Sequence, residues 1–183
     1  GIAYAAMKEF TEAEHHQRQF YESLERVHPG RKFFNNPATK TLGVGEKMLL
    51  GELEYHKGNH EIAYAHLRES VQRCDDLHYS EPWPWMHPPR HALGALLMEQ
   101  GHYKEAEEVY RADLGLTDAV QRCAQHKNNV WSLHGLVECL KHRGETKERT
   151  DFQALLTSAL ANTDVAITSS CCCRKTVVDI GDG

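Results

Sequence analysis

The chain has 183 residues, of which 26% are charged, and its formal net charge is −5. This length is ample for one hydrophobic core, and no apolar run reaches the ~20 residues that a membrane-spanning helix requires. The basic residues are scattered rather than clustered, so we expect neither a nucleic-acid partner nor a membrane partner.

The first predicted element is a partial repeat over residues 2–27. The chain begins with Gly1 rather than Met, and residues 2–7 resemble the end of a helix whose start is missing. A fragment of a longer repeat protein is therefore one interpretation of the chain. A helix with apolar residues on one face follows and ends near Val27, where His28 and Pro29 interrupt the helical pattern.

Three glycines mark a period in the central region, since Gly58, Gly101 and Gly144 lie 43 residues apart. Each of the first two follows a leucine-glycine pair and precedes an alanine, namely Leu50-Gly51 and Ala63, and then Leu93-Gly94 and Ala106. A small residue lets the two helices of a hairpin approach closely, and the periodic glycines end the first helix where a left-handed backbone is needed. The pattern therefore predicts repeated helix pairs.

The third unit departs from this pattern, since Val137 stands at the small position and Arg149 at the alanine position. Over residues 46–160 the chain resembles the tetratricopeptide repeat family, with a period longer than the usual ~34 residues. The resemblance implies an all-α fold, a right-handed α-solenoid of antiparallel helix hairpins. We expect about three full repeats, a partial N-terminal repeat and an irregular C-terminal tail, with no β-sheet beyond at most a short strand in the tail.

We predict one tetratricopeptide-like domain over residues 1–183. Its parts are a partial repeat at 2–27, repeats at 45–77 and 88–115, a degenerate repeat at 130–163, and a cysteine-containing tail at 164–183. In the second full repeat, helical periodicity places Leu93, Leu96 and Leu97 on the buried side of the first helix.

The resemblance also implies a concave groove, lined by the outer face of the first helices, that binds ligands. His91 and His134 occupy the same repeat position on that face, so we expect both to be on the solvent side and their imidazoles to converge. Together with Glu138, and with Glu52 or His56 as a fourth ligand, they are predicted to bind a divalent transition metal such as Zn, Fe, Cu or Mn. No nucleotide cofactor is expected.

The groove is further expected to bind a small molecule or a peptide. The predicted groove residues are Tyr55, Trp85, His87, Met98, Trp131 and His142. Four prolines within residues 82–89 favour a stiff extended connector, which we predict to form one wall of the groove. A catalytic metal here would make the chain a metal-dependent oxygenase, another oxidoreductase or a hydrolase.

Alternatives to the metal site stay open at this stage. The same histidines and glutamates also fit solvated polar residues whose four-residue spacing gives only weak pairs, and they fit a metal-free acid/base site. For the whole chain, the alternatives to a metalloenzyme are a non-catalytic protein–protein interaction module and a fragment of a longer repeat scaffold.

The chain contains six cysteines without regular spacing, which predicts a reducing compartment and hence a cytoplasmic location. Cys171, Cys172 and Cys173 are adjacent in the tail. The ordinary interpretation is reduced thiols on a tail, because adjacent cysteines seldom bond to each other. The alternative is a tail that folds back into the groove, where a thiolate completes the metal shell or acts as a redox-active or nucleophilic group.

Overall fold

The computed structural model describes residues 1–171 and Arg174. These residues are mostly helical, which confirms the all-α prediction. The helices are α1 (Ile2–Ala6), α2 (Phe10–Glu25), α3 (Ala38–His56), α4 (His60–Asp75), α5 (Pro89–Glu99), α6 (Tyr103–Asp113), α7 (Val130–Arg143) and α8 (Thr146–Leu160), with a short 3-10 helix at Arg122–Ala124. Within the described part of the chain, each helix is too short or too polar to span a bilayer.

A small β-hairpin interrupts the helices between α2 and α3. Strand β1 (Lys32–Phe33) pairs antiparallel with β2 (Asn36–Pro37), and Phe34 at the turn has a positive φ of 52°. The prediction that any sheet would be confined to the tail was therefore wrong. The buried Asn36 side chain holds the hairpin, because it donates to the His78 carbonyl and accepts from the His78 amide, both at 2.8 Å.

The chain divides into two compact units, Gly1–Leu93 and Gly94–Gly183, with the boundary inside α5. The single domain over residues 1–183 stays a prediction. Leu93, Leu96 and Leu97 are at most 3% exposed, which confirms the predicted buried side of α5.

In the first unit, α3 and α4 form a helix pair closed at Gly58, whose φ is +89°. The hydroxyl of the buried Ser70 on α4 donates to the Val44 carbonyl of α3 at 2.8 Å. Near the same end, Arg73 of α4 donates to Glu46 of α3 at 2.9 Å. The pair is thus joined by apolar packing and by polar contacts between its two helices.

In the second unit, the side chain of Tyr110 on α6 fixes how closely the neighbouring helices approach. A Cβ atom built on Gly94 would lie 2.5 Å from the Tyr110 ring, and one built on Gly135 of α7 would lie 2.3 Å from it. Only glycine leaves room for the ring at both positions, because ordinary contacts of a Cβ begin near 3.4 Å. Tyr110 itself is fully buried.

Charged side chains also connect the three complete helices of this unit. Glu107 on α6 accepts hydrogen bonds from Arg111, at 2.7 Å, and from Arg143 of α7. Arg111 continues to Glu148 of α8 at 2.7 Å. Burial raises the pKa of the Glu107 carboxyl, but the hydrogen bonds from the two guanidinium groups outweigh it and leave the pKa below its usual value.

Candidate binding site

Helix α7 carries the candidate site, and local sequence fixes where this helix begins and ends. The Asn129 side chain caps its first turn by accepting from the amides of Trp131, at 2.9 Å, and Ser132, at 3.3 Å. Gly144 ends the helix in the left-handed conformation, with φ 75°. Both ends match the residue preferences of helix caps.

A buried carboxylate anchors the start of α7 to the end of α6. Asp113 is 1% exposed and accepts from the Ser132 hydroxyl at 2.6 Å and from Nδ1 of His126 at 2.8 Å. This contact places the connector between the two helices against α6. It also holds Ser132, in the first turn of α7, at the end of α6.

His134 and Glu138 lie one turn apart on α7. Nδ1 of His134 is 3.9 Å from Oε2 of Glu138, which is too long for a hydrogen bond but close enough for electrostatic interaction. Burial lowers the pKa of His134 and Arg174 lowers it further, while the Glu138 carboxylate acts in the opposite direction. The net effect is an imidazole whose neutral form is favoured.

Residues 169–171 lie buried within this unit. Ser170 is fully buried, and its Oγ is 2.5 Å from the Tyr110 hydroxyl. The Ser169 hydroxyl donates to the Cys171 carbonyl at 2.7 Å. A segment after the last helix thus buries two hydroxyl side chains, each of which has a hydrogen-bond partner.

Arg174 connects this segment to α7. Its Nη1 donates to Oε2 of Glu138 at 2.7 Å, and its amide donates to the Cys171 carbonyl at 3.3 Å. Burial opposes the charge of the guanidinium, but the hydrogen bond and the charge of Glu138 outweigh it and raise the pKa of Arg174. Tyr110 and Glu99 contribute in the same direction. We call Tyr110 of α6, together with His134 and Glu138 of α7, the α7 face. We call residues 169–171 with Arg174 the tail segment.

The predicted metal ligands fall into both units. Glu52, His56 and His91 belong to the first unit, whereas His134 and Glu138 belong to the second. Among the residues that the structure describes, no group of three or more His, Cys, Asp or Glu side chains is positioned to hold a metal ion. The convergence of His91 with His134 stays a prediction.

The prediction that the outer face of each hairpin's first helix is open to solvent was wrong at several positions. His91 is 4% exposed and Glu52 is 1% exposed, so neither is on an open face. In α5 every residue from 91 to 98 is buried, including Ala95 and Met98 opposite the leucines. Periodicity did not reveal that α5 is buried on all sides, because a polar residue such as His91 is the kind expected on a solvent-facing side.

Of the predicted groove residues, three lie in the first unit. The indole N–H of Trp85 donates to the Met48 sulfur at 3.2 Å, so this part of the proline-rich connector contacts α3. Tyr55 is 5% exposed and stacks on His60, with ring centroids 4.8 Å apart. His87 is half-buried.

The other three predicted groove residues lie in the second unit. Met98 is buried, and its sulfur accepts from the Cys139 thiol at 3.0 Å. Trp131 is half-buried in the first turn of α7. His142 is exposed and stacks flat on Tyr103, with centroids 4.2 Å apart.

The predicted thiols are described only at Cys171, which is 2% exposed; Cys172 and Cys173 lie outside the described residues. Burial raises the pKa of another thiol, Cys139, to about 12, so it is protonated at neutral pH. Sequence reasoning missed Tyr110, Ser170 and Arg174. For Tyr110 the sequence held a clue. Gly94 of α5 and Gly135 of α7 together leave room for a large side chain between them.

A scan against protein-family models and searches of curated proteins and of solved structures found no match.

Proposed function

We propose that this chain is a non-catalytic protein–protein interaction module of tetratricopeptide-like helix hairpins, arranged as a right-handed α-solenoid in the cytoplasm. Its binding site is the α7 face, and its ligand is a peptide. One observation carries the proposal: a segment of chain outside the helices forms side-chain contacts with Tyr110 of α6 and with Glu138 of α7.

The chemistry of the α7 face suits the side chains of a peptide. A buried hydroxyl is costly unless it has a hydrogen-bond partner, and the Tyr110 hydroxyl provides one for Ser170. Glu138 is 21% exposed, and partial burial strengthens its interaction with a guanidinium relative to open solvent. A peptide segment with a small hydroxyl residue and an arginine therefore matches both groups.

An acid/base role fits this arrangement less well. A general base must be free to accept a proton from a substrate, whereas Glu138 accepts a hydrogen bond from Arg174 at 2.7 Å. His134 is neutral at physiological pH, since burial lowers its pKa. The carboxylate is thus used to bind a cation, as in a recognition site.

Selection from a random peptide library tests the proposal. The full chain, immobilised under reducing conditions, should enrich arginine-containing peptides. Glu138→Gln should lose this enrichment because it removes the charge at constant size, and Glu108→Gln, which changes an exposed residue of α6, should keep it. Equal enrichment on wild type and on Glu138→Gln would contradict a peptide site on the α7 face.

A divalent transition metal bound by His134 and Glu138 is the second candidate function. The approach of the two side chains to 3.9 Å favours it, because imidazole nitrogen and carboxylate oxygen are ligands that such metals accept. Zinc, iron, copper and manganese should each be titrated into purified full chain while thermal stability is followed. A stoichiometric metal that is lost in His134→Ala supports the site, and no stabilisation by any of the four contradicts it.

A further inference from the structure

The tail segment occupies the same groups that the proposed function assigns to a peptide. Ser170 forms a hydrogen bond with the Tyr110 hydroxyl, and Arg174 donates one to the Glu138 carboxylate. Both contacts use side chains rather than backbone alone, so they depend on the identity of the residues. The Arg174 amide also donates a hydrogen bond to the Cys171 carbonyl at 3.3 Å.

We propose that the tail segment is an autoinhibitory ligand in cis, which a partner must displace with a segment of the same chemistry, a small hydroxyl residue with an arginine four positions later. This inference rests on the proposed function of the α7 face. Only a short stretch, residues 161–168, separates α8 from the tail segment. A tether this short gives the cis ligand an effective concentration on the order of millimolar.

The presence of the tail segment on the α7 face has a measurable effect on the binding of a free peptide. A free peptide binds only to the fraction of molecules whose tail segment has left the α7 face. Its apparent dissociation constant is therefore the intrinsic constant divided by that fraction. Weakening the cis contact must therefore tighten binding of the free peptide. Removing the receptor group itself must instead weaken it.

Fluorescence anisotropy with a labelled peptide of residues 168–175 measures this effect on the full chain under reducing conditions. Arg174→Ala should bind the peptide at least about five-fold more tightly than wild type, a ratio that corresponds to about 1 kcal/mol. Arg122→Ala, which changes an exposed arginine, should bind like wild type. A peptide with neutral citrulline in place of its arginine should bind each of these three chains more weakly than the arginine peptide does, because it loses the charge that pairs with Glu138.

A second measurement does not depend on the peptide. Cys171 is 2% exposed, so its thiol should react with a maleimide only when the tail segment leaves. Labelling of Cys171, resolved from the other cysteines by mass spectrometry, should be about five-fold faster in both Arg174→Ala and Glu138→Gln. Arg122→Ala should leave the rate unchanged.

The outcomes separate this inference from the proposed function. Peptide binding that depends on Glu138 but is equal in wild type and Arg174→Ala overturns cis inhibition and leaves the proposed function intact. A wild-type chain that is dimeric and becomes monomeric in Glu138→Gln also overturns it, since the segment would then be exchanged between copies. Absence of peptide binding in every variant overturns both.

Discussion

Substituting Gly135 by alanine should destabilise the second unit, although alanine is the better helix former. The added methyl would lie 2.3 Å from the Tyr110 ring, where ordinary contacts begin near 3.4 Å. The ring cannot retreat, because Gly94 lies on its other side and its hydroxyl is bonded to Ser170 at 2.5 Å. Either α7 or the ring must shift.

Two opposing terms set the size of the effect. Alanine in place of glycine inside a helix stabilises it by about 1 kcal/mol. A methyl inserted into a close-packed interior costs about 1–3 kcal/mol, and a ring held on both sides puts Gly135→Ala near the upper end. The free energy of unfolding should therefore fall by about 1–2 kcal/mol, measured by urea unfolding followed with circular dichroism.

Comparing Gly135→Ala in two backgrounds, with and without the Tyr110 ring, separates the steric cost from the gain in helix propensity. In a Tyr110→Leu background the ring is absent, so Gly135→Ala should stabilise the chain by up to about 1 kcal/mol through helix propensity alone. The sign of the effect should thus reverse between the two backgrounds. A Gly135→Ala chain as stable as wild type, or equal losses in both backgrounds, would refute the close approach of α6 and α7 around Tyr110.

Three further predictions concern other contacts. Ser132→Ala removes a hydrogen bond to the buried Asp113 carboxylate and should lower the free energy of unfolding by about 1.5–3 kcal/mol, whereas exposed Ser158→Ala should change it little. Asn36→Ala should cost about 2 kcal/mol in urea unfolding and speed amide exchange at His78, because it leaves two backbone groups without their partner. Burial lowers the pKa of His134 below its ordinary 6.5, so protonation favours the unfolded chain. Thermal stability should therefore fall as the pH drops from 6.5 through the folded pKa, and His134→Gln should reduce that loss.

The helix pairs were predictable because their determinants are local. The periodic glycines Gly58, Gly101 and Gly144 all adopt positive φ, as a helix end requires, and a sequence pattern suffices to locate such positions. Ala63 and Ala106, the alanines that follow the first two of these glycines in the repeat pattern, are fully buried. Each of these inferences needs only neighbours within one helix hairpin.

The contacts of the candidate site were not predictable in the same way, because they join residues far apart in sequence. Tyr110 and Ser170 are separated by 60 residues, and Glu138 and Arg174 by 36. No periodicity relates such pairs. The hairpin at Asn36 escaped prediction for the same reason, since its stabilising partner His78 lies 42 residues away.

Glu138 makes the two candidate functions mutually exclusive at any moment. Its carboxylate has the charge to bind one cation strongly, and a divalent metal and the Arg174 guanidinium both require that charge. A metal bound to Glu138 would have to release the tail segment. Metal and free peptide would therefore compete for the Glu138 carboxylate, and each would displace Arg174 from it. Metal that accelerates maleimide labelling of Cys171 in wild type but not in His134→Ala would show the first kind of displacement. A peptide that accelerates labelling equally in wild type and His134→Ala would show the second, because recognition of a guanidinium needs Glu138 and not the imidazole.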